Sequence, residues 1–434
     1  MRTKHFNLQL LFVLLCFCST VLSASDLTDR LKTIQAISQI QPIESKCFSE
    51  KYVIKFRHPV DYNDPEGMTF EQRVVIGHVG FDRPTVIVTE GYGGAYAHNP
   101  GYTEELAEIL NANLVHVEYR YFLESTPEPC NWEHLTVWNS LNDLHEVVTA
   151  LKDIYPEKWL ATGISKGGMT CMFYRAYFPN DVEVSVPYVA PLNKAPEDGR
   201  HETFLEKTVG TPKERACITD FQIEILKRKD RLMPLFDALC QQKNYQFNVS
   251  TREIYDYCVL EFPFAYWQWG KKVHQLPDLN NASDQELFDF FIQNSSPDYF
   301  QPLTGNLSFF YQAAHELGYY GYDVKPLKPY IELNSAKDYL TQIMLPKELQ
   351  ETSFSNKVYK YTVNYLKKND PKMIFIYGEN DPWTASGVCT WLNFDKKENM
   401  KCFLDPCGSH VSRINTLPST LRNEVIALIK KWME

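Results

Sequence analysis

Apolar positions recur along the chain with two different spacings, and these spacings predict its elements. Short apolar runs at Thr85–Thr89, Leu114–Tyr119 and Glu183–Val189 are typical of strands. Between Leu135 and Ile154 the apolar residues lie three and four positions apart, which predicts an amphipathic helix. Strands that alternate with helices predict an α/β protein with a mostly parallel sheet, covered by helices on both faces.

The same spacings predict further elements near both ends of the chain. A short helix is expected at Leu27–Ile40, before two strands with alternating apolar and polar residues that we predict to be antiparallel edge strands, Tyr52–Phe56 and Arg73–Val79. Near the C-terminus the pattern predicts two more strands and a closing helix: Met373–Tyr377, Met400–Leu404 and Leu417–Trp432.

The alternation stops between residues 195 and 365, where the chain becomes helix-like and aromatic. Its most aromatic portion is Tyr255–Trp269. We therefore predict an inserted helical cap domain at 195–365, which divides a catalytic domain into residues 25–194 and 366–434. The length of 434 residues and the hydrophobic fraction of 44% are compatible with one large core carrying such an insertion.

The N-terminal residues are typical of a secretory signal peptide. Arg2, Lys4 and His5 form a basic start, Leu8–Leu22 supplies an apolar core, and cleavage is expected after Ser23 or Ala24. Residues 1–24 therefore predict a secreted, periplasmic or lumenal protein without a membrane partner after cleavage. The alternative of a retained membrane anchor is disfavoured because the apolar run is short for a span.

Charge and cysteine content restrict the possible binding partners, disulfides and metal sites. The net charge of -10, without any basic run, argues against nucleic acid. Of eleven cysteines, Cys16 and Cys18 precede the cleavage site, so an odd number enters an oxidising compartment. Up to four disulfides are therefore expected with at least one free thiol, for which Cys171 is the first candidate. The chain has no CxxC pair and no HExxH, so no metal site is predicted.

Candidate chemistry begins with the sequence Gly163-Ile164-Ser165-Lys166-Gly167. A strand-like run, Trp159–Thr162, precedes it and a helix-like stretch, Met169–Phe178, follows, which is the layout of a nucleophile elbow. Ser165 is then the nucleophile, and glycines are required where the strand and helix approach closely. The amide of Lys166 would contribute to an oxyanion hole. A flexible glycine turn is the alternative interpretation.

A serine nucleophile requires a base and an orienting carboxylate, and both follow the elbow in the expected order. Asp381 comes directly after the strand that ends at Tyr377, and His410 follows the strand that ends at Leu404. Glu379 is the alternative acid. His145, His274 and His315 are weaker candidates for the base, because their positions along the chain do not match this order.

The second oxyanion donor is expected after the strand that ends at Thr89. Gly91, Gly93 and Gly94 would let the backbone approach a substrate there, although a tight turn without a ligand remains an alternative. Glu90 carries an unexpected charge beside the nucleophile. It either binds the free amino terminus of a peptide or serves as an N-terminal carboxylate for the helix that begins near Gly101.

Together these segments resemble a known group, the secreted tripeptidyl aminopeptidases among the prolyl-aminopeptidase-like serine peptidases. More distantly, the chain is similar to the family of lysosomal Pro-Xaa carboxypeptidase and dipeptidyl peptidase II. The resemblance rests on residues within 75–195 and 370–434, namely Thr89–Gly94, Glu118–Phe122, Ser125–Pro127, the elbow, Asp381-Pro382-Trp383 and His410. The lysosomal family has tyrosine after the serine, so Lys166 favours the aminopeptidase group.

The resemblance implies an α/β-hydrolase fold with a helical cap, and hydrolysis of short peptides from one end without a cofactor. It implies that Ser165 is the nucleophile, Asp381 the orienting acid and His410 the base. Glu90 and Trp383 are the predicted substrate-binding residues. A Pro-Xaa carboxypeptidase-like peptidase or a carboxylesterase on the same fold is the alternative. A non-catalytic hydrolase-like module is disfavoured because all three triad residues are present. Neither the number of residues released nor the oligomeric state follows from the sequence.

Overall fold

A nine-stranded sheet organises the fold. A computed structural model describes residues 26–434, so the predicted signal peptide at 1–24 lies outside the described residues. The strands are β1 (Ile37–Pro42), β2 (Glu50–Pro59), β3 (Thr69–His78), β4 (Thr85–Thr89), β5 (Asn113–Val117), β6 (Trp159–Ile164), β7 (Val184–Tyr188), β8 (Met373–Gly378) and β9 (Met400–Asp405). Their order across the sheet is β1-β2-β3-β5-β4-β6-β7-β8-β9.

The parallel part of the sheet brings the predicted site loops to one edge. The six strands β4 to β9 are parallel to one another, whereas β1, β2 and β3 add an antiparallel side, with β3 paired to β5. Because parallel strands end at the same edge, the segments after β4, β6, β8 and β9 meet there. This topology, with the strand-turn-helix at Ser165, confirms the predicted α/β-hydrolase fold.

Helices cover the sheet and fill the segment between β7 and β8. Their bounds are α1 (Asp26–Lys32), α2 (Glu105–Leu110), α3 (Val137–Lys152), α4 (Lys166–Tyr177), α5 (Arg200–Lys207), α6 (Pro212–Lys227), α7 (Lys229–Gln242), α8 (Thr251–Gln268), α9 (Asp284–Asn294), α10 (Leu307–Gln312), α11 (Tyr339–Gln342), α12 (Lys357–Lys368) and α13 (Ser419–Met433).

Alternate residues of the parallel strands pack on opposite sides of the sheet. In β4, Ile87 joins the core that contains α3 and α4, whereas Val86 and Val88 join the core that contains α2 and α13. All three valine and isoleucine side chains are buried. This burial on both faces explains why the strand is an uninterrupted apolar run, as expected for a parallel sheet.

The predicted helix at Leu27–Ile40 is wrong beyond its first two turns. α1 ends at Lys32, and β1 then pairs with β2 in antiparallel register, with Pro42 opposite Tyr52. Ile37 and Ile40 are three positions apart, a spacing that imitates a helix, but the open side of β2 supplies hydrogen-bond partners that a local pattern does not reveal. The edge strand on this side is therefore β1. The two predicted edge strands, Tyr52–Phe56 and Arg73–Val79, lie inside the sheet, because β2 pairs with β1 and β3, and β3 pairs with β2 and β5.

The segment between β7 and β8 consists of helices α5 to α12 and connecting turns. Three of the long helices, α6, α8 and α9, begin with a capping box in which a Ser or Thr and the Glu three residues later satisfy each other's backbone amides. α12 spans the predicted domain boundary at 365 and packs on α4, where the rings of Tyr177 and Tyr361 lie 4.4 Å apart. The limits of a cap domain stay a prediction.

Hydrogen bonds join this helical segment to the sheet. The side-chain amide of Gln312 donates to the Tyr119 hydroxyl at 2.9 Å, and the backbone amide of Val137 donates to the Glu316 carboxylate at 2.7 Å. Across residues 26–434, no helix combines the length and apolar character that a membrane span requires. All nine cysteines of that range are free thiols, so the predicted disulfides are not confirmed.

Candidate active site

Ser165 lies on a tight turn between β6 and α4. Its φ of 57° and ψ of -119° place it in a region that L residues rarely occupy, and its amide donates to the Tyr188 carbonyl at 3.0 Å. Such strain persists only where the surroundings hold the backbone in place, and it is the geometry of a nucleophile elbow. The turn presents the serine at the carboxyl edge of the sheet, with the amide of Lys166 opening α4.

The glycines on either side of Ser165 allow this turn. A Cβ at Gly163 would collide with the carbonyl of Gly167 and lie 2.7 Å from the Thr89 hydroxyl. A Cβ at Gly167 would lie 2.7 Å from the Thr89 carbonyl oxygen. These are contacts with backbone, which cannot move aside as a side chain can, so glycine is required at both positions.

His410 and Asp381 form a buried hydrogen-bonded pair. His410 Nδ1 lies 2.7 Å from Asp381 Oδ2, and the two residues are 6% and 0% exposed. The backbone amide of Trp383 donates to Asp381 Oδ1 at 3.1 Å and fixes the carboxylate. His410 is fixed in turn, because its amide donates to the carbonyl of Gln268 at 3.0 Å. The structure therefore joins the predicted acid and base.

The alternative acid and bases lie in other hydrogen bonds. The Glu379 carboxylate accepts from the amide of Cys407 at 3.0 Å and does not contact His410. His145 lies 2.7 Å from the Asp181 carboxylate, and His315 lies 2.7 Å from the Thr352 hydroxyl. These contacts are those of structural side chains. His410 lines the same cavity as Ser165, whereas Glu379, His145, His274 and His315 do not line it.

A cavity of about 860 Å³ opens over the elbow and connects the sheet edge with the helical segment. Ser165, His410, Trp383 and Glu90 all line it, so it brings the predicted triad serine and base together with both predicted substrate-binding residues. The Trp383 indole is 6% exposed, and its Nε1 is buried without a hydrogen-bond partner. Four further aromatic side chains line the cavity: Phe309, Phe310, Tyr319 and Tyr320.

The side chain of Lys166, which sequence reasoning did not consider, is buried beneath the Gly91 loop. Nζ donates to the Gly91 carbonyl at 2.6 Å and lies 3.2 Å from the centre of the Tyr119 ring. Burial lowers the pKa of this amine well below its usual value, although the Glu90 charge opposes the shift. The lysine thus joins the first turn of α4 to the loop that follows β4.

Most amides of the Gly91–Gly94 loop serve the loop itself. Those of Gly91 and Tyr92 donate to Glu90 Oε1 at 3.0 and 3.2 Å, and that of Gly94 donates to the Glu118 carboxylate at 2.8 Å. Two of the three glycines predicted for the oxyanion hole therefore have engaged amides in this state. Gly93 supplies the third, and its role, like that of the Lys166 amide, stays a prediction.

Glu90 is a structural carboxylate of this loop as well as a cavity residue. Its Oε2 accepts from the Tyr96 hydroxyl and lies 3.4 Å from His116 Nε2. Burial raises the pKa of Glu90, but the bonds from His116 and Tyr96 outweigh it, and the net pKa is lowered. The alternative prediction, that Glu90 is the N-terminal carboxylate of the helix near Gly101, is wrong. That helix is α2, and it is capped by Glu104, whose carboxylate accepts from the Leu106 amide.

Two further cavity residues were not found from sequence. Tyr92 lines the cavity together with Ser165, and burial raises the pKa of the tyrosine. Glu261 lies on α8 and accepts from the hydroxyls of Tyr320 at 2.9 Å and Tyr322 at 2.8 Å. A tyrosine between the loop glycines and a glutamate inside the most aromatic helix were the available signals. Neither signal specifies the direction of its side chain.

A known peptidase family matches most of the chain. The profile of the PS-10 peptidase S37 family matches residues 21–432. The chain belongs to that family. It is a serine-type peptidase, as the resemblance implied, and the predicted enzyme class is confirmed.

Curated relatives include peptidases of two kinds. The chain is 31% identical over 422 residues to a prolyl tri/tetrapeptidyl aminopeptidase of Streptomyces mobaraensis, covering 94% of this chain and 85% of that protein. It is 28% identical over 189 residues to the lysosomal Pro-X carboxypeptidase of Mus musculus, covering 39% of this chain and 38% of that protein. Both predicted resemblances are thereby confirmed.

Among solved structures, the proline iminopeptidase of Mycobacterium smegmatis is similar with a TM-score of 0.41 and 14% identity, over 87% of this chain and 98% of that one. Rv0554 of Mycobacterium tuberculosis matches with a TM-score of 0.40 and 12% identity, over 87% of this chain and 98% of that one.

Within residues 26–434, no group of three or more His, Cys, Asp or Glu side chains is arranged to hold a metal ion.

Proposed function

We propose that this peptidase is an exported aminopeptidase that releases tripeptides or similar short peptides from a free N-terminus, through a Ser165-Asp381-His410 triad. The observation that carries the triad is the 2.7 Å bond between His410 Nδ1 and Asp381 Oδ2 in the cavity that Ser165 lines. The aminopeptidase activity is supported by the Streptomyces relative, which aligns along most of both chains.

In the first step Ser165 Oγ attacks the carbonyl carbon of the scissile bond while His410 Nε2 takes the serine proton. Asp381 holds the other ring nitrogen protonated and stabilises the imidazolium that forms. His410 then donates the proton to the leaving amine, which departs as the shortened peptide and leaves an ester on Ser165. A water molecule, deprotonated by His410, hydrolyses that ester and releases the N-terminal fragment.

The oxyanion formed in both steps is proposed to accept hydrogen bonds from the Lys166 amide and from the Gly91–Gly94 loop. Lys166 is at the start of α4, where the helix dipole favours negative charge. Gly93 is the loop glycine best placed to donate, since the amides of Gly91 and Gly94 already bind carboxylates. Trp383 and Glu90 are proposed to contact substrate, because both line the cavity.

The test is hydrolysis of a fluorogenic tripeptide with a free and with an acetylated amino terminus, by the wild type and Ser165→Ala. We expect turnover of the free-amine substrate only, and its loss in the variant. Equal cleavage of both substrates would remove the aminopeptidase assignment. Full activity of Ser165→Ala would overturn the triad.

A carboxypeptidase is the second candidate, because the cavity also presents two cations, Lys271 and Arg413, that could bind a terminal carboxylate. The partial similarity to lysosomal Pro-X carboxypeptidase agrees with this. A peptide with a blocked amine and a free carboxylate distinguishes the two: release of its C-terminal residue would favour the carboxypeptidase, and resistance the aminopeptidase.

Export is proposed from the signal-like residues 1–24, and one disulfide of the exported protein, Cys389–Cys402, is proposed with it. The neighbouring Cys389 raises the pKa of the Cys402 thiol, which indicates that the two side chains lie close together, so this pair could lose two protons and two electrons to an oxidised dithiol partner and form a disulfide. Peptide mass mapping of the exported protein after thiol alkylation would detect it. Alkylation of both cysteines without prior reduction would exclude it.

A further inference from the structure

A buried carboxylate of the cavity has no positively charged partner. Glu261 is 6% exposed, lines the cavity, and receives two tyrosine hydroxyls at the same oxygen, Oε2. Among residues 26–434 Glu261 forms no ion pair with a lysine, arginine or histidine, and its hydrogen bonds come from these two tyrosines. Buried carboxylates are costly unless a cation neutralises them. Burial accordingly raises the pKa of Glu261 to about 8, so a cation that binds beside it would favour loss of the proton and the charged carboxylate.

The surrounding tyrosines all direct hydrogen bonds toward Glu261. Because Tyr320 donates to the carboxylate, Tyr299 donates to the Tyr320 hydroxyl at 2.7 Å, and Tyr319 donates to Tyr299 at 2.5 Å. Tyr322 donates to Glu261 from a separate direction. Three of these rings, those of Tyr299, Tyr319 and Tyr320, also line the cavity. A carboxylate among aromatic rings is an environment that binds ammonium groups.

The other cavity carboxylates are less suited to this task. Both oxygens of Glu90 are occupied by its own loop, Tyr96 and His116, and the Glu104 carboxylate caps α2. Asp298 lies on the exposed surface at the rim. Glu261 is the carboxylate that is buried, open to the cavity and without a cation.

A short series of contacts relates Glu261 to the triad. The ring centres of His410 and Trp383 are 6.3 Å apart, those of Trp383 and Tyr320 are 5.3 Å apart, and the Tyr320 hydroxyl reaches Glu261. Since extended peptide spans about 3.3–3.6 Å per residue, a few residues would bridge the serine and this carboxylate.

We propose that Glu261 binds the α-ammonium group of the peptide substrate, with Tyr320 and Tyr322 orienting the carboxylate. This inference rests on the proposed aminopeptidase function and assigns its amine specificity to the helical segment rather than to Glu90. The distance between Glu261 and Ser165 then limits how many residues are released.

Binding tests the proposal without catalysis. In full-length Ser165→Ala, isothermal titration with a free-amine tetrapeptide and its N-acetyl counterpart compares the two affinities. We expect acetylation to weaken binding at least tenfold, and Glu261→Gln to weaken binding of the free-amine peptide at least tenfold and to abolish the difference. Asp298→Asn, a matched change in the same cavity, should keep the difference. Discrimination that survives Glu261→Gln, or is absent before it, would overturn the proposal.

Hydrolysis separates this proposal from the proposed function. With Ser165 present, Glu261→Gln should raise KM for the free-amine peptide at least tenfold while kcat changes by less than threefold. If wild type cleaves only free-amine peptides but the variant keeps the wild-type KM, the aminopeptidase stands and Glu261 is not its anchor. If wild type cleaves nothing while the titration still depends on Glu261, the amine site stands and the activity fails. Thermal unfolding of Tyr322→Phe and Glu261→Gln checks that both variants fold.

Discussion

Ser165 is held at a positive φ by the close approach of β4, the elbow and α4. The Thr89 hydroxyl donates to the carbonyls of Thr162 and Gly167, at 3.0 and 2.9 Å, so the loop after β4 is joined to the elbow on both sides. Because these contacts leave no free space, a substitution that adds or removes a single atom should displace the Ser165 side chain.

Gly163→Ala should lower kcat at least tenfold and destabilise the fold by about 2 kcal/mol or more, because the new methyl group would collide with the Gly167 carbonyl. Gly101→Ala is the matched control, since its nearest neighbour would be 3.5 Å away, and its φ is not in the left-handed region. Steady-state kinetics and urea unfolding measure both effects. Wild-type kcat in Gly163→Ala would show that the elbow tolerates displacement.

Asp381→Asn should reduce kcat by roughly 10³–10⁴-fold with little change in KM, because the amide cannot stabilise the imidazolium of His410. Glu379→Gln, which removes a carboxylate bound only to the Cys407 amide, is the control and should retain activity within about threefold. The reverse ranking of the two variants would identify Glu379 as the orienting acid.

Burial raises the pKa of Glu261 from 4.5 to about 8, while the hydroxyls of Tyr322 and Tyr320 oppose the rise. Between these two values the native state retains a proton that the unfolded state has released, so this group's contribution to stability falls as pH rises. The slope is at most about 1.4 kcal/mol per pH unit.

Glu261→Gln removes that titration, so its free energy of unfolding should decline less steeply with pH between about 5 and 8. Glu104 has a pKa raised by burial to about 7 and contributes a decline of the same sign, which the variant keeps. Urea unfolding at several pH values measures the two slopes. Parallel slopes in wild type and variant would contradict a raised pKa at Glu261.

At the scale of elements, the first turn of α4 and the loop after β4 are joined through Lys166. Nζ reaches the Gly91 carbonyl from beneath, among the rings of Tyr92, Tyr119 and Phe122. An amine in this position positions the loop but is expensive to bury, since burial disfavours its charge. Activity and stability should therefore respond to its removal in opposite directions.

Lys166→Met should lower kcat/KM by roughly 10- to 100-fold, because the loop after β4 loses its hydrogen bond from Nζ to the Gly91 carbonyl. A displacement of the loop by about 1 Å is enough for such a loss. Its melting temperature should stay equal or rise, since Met fills the site without a charge to desolvate. Lys207→Met, at an exposed position on α5, is the control for both readouts. A variant with full activity would show that the loop does not need this contact.

At the scale of the whole molecule, the site lies between two parts of the chain that are distant in sequence. Ser165 and His410 come from the sheet edge, whereas Glu261 and Phe309 come from the helices between β7 and β8. Those helices are fastened to the sheet by the Gln312–Tyr119 and Glu316–Val137 hydrogen bonds. The cavity between them, about 860 Å³, suits a short peptide and not a folded domain.

A series of free-amine peptides from two to twenty residues should therefore yield N-terminal fragments of one preferred length, identified by mass spectrometry. Folded proteins should resist cleavage, because a chain buried in its own core does not enter the cavity. A twenty-residue peptide blocked at both ends is the control. Internal cleavage of that peptide would contradict a cavity that admits only the N-terminal end of a peptide.

The local sequence determined much of this protein. Hydrophobic period and glycine placement were sufficient to predict the parallel strands, the elbow at Ser165 and the order of Asp381 and His410, because each depends on neighbours along the chain. The same reasoning failed at Ile37–Pro42, where hydrogen bonds from β2 decide between strand and helix.

Only the tertiary structure decided what the side chains of the cavity contact. It directed the Glu90 carboxylate into its own loop, buried the Lys166 amine under Gly91, and placed Glu261 from α8 in the cavity that Ser165 lines. Periodicity reports which face of an element is buried, but not which distant charge or hydroxyl meets it there. The contacts of a site built from separate elements are therefore set by packing, whereas its strands and the tight turn at Ser165 are set by local sequence.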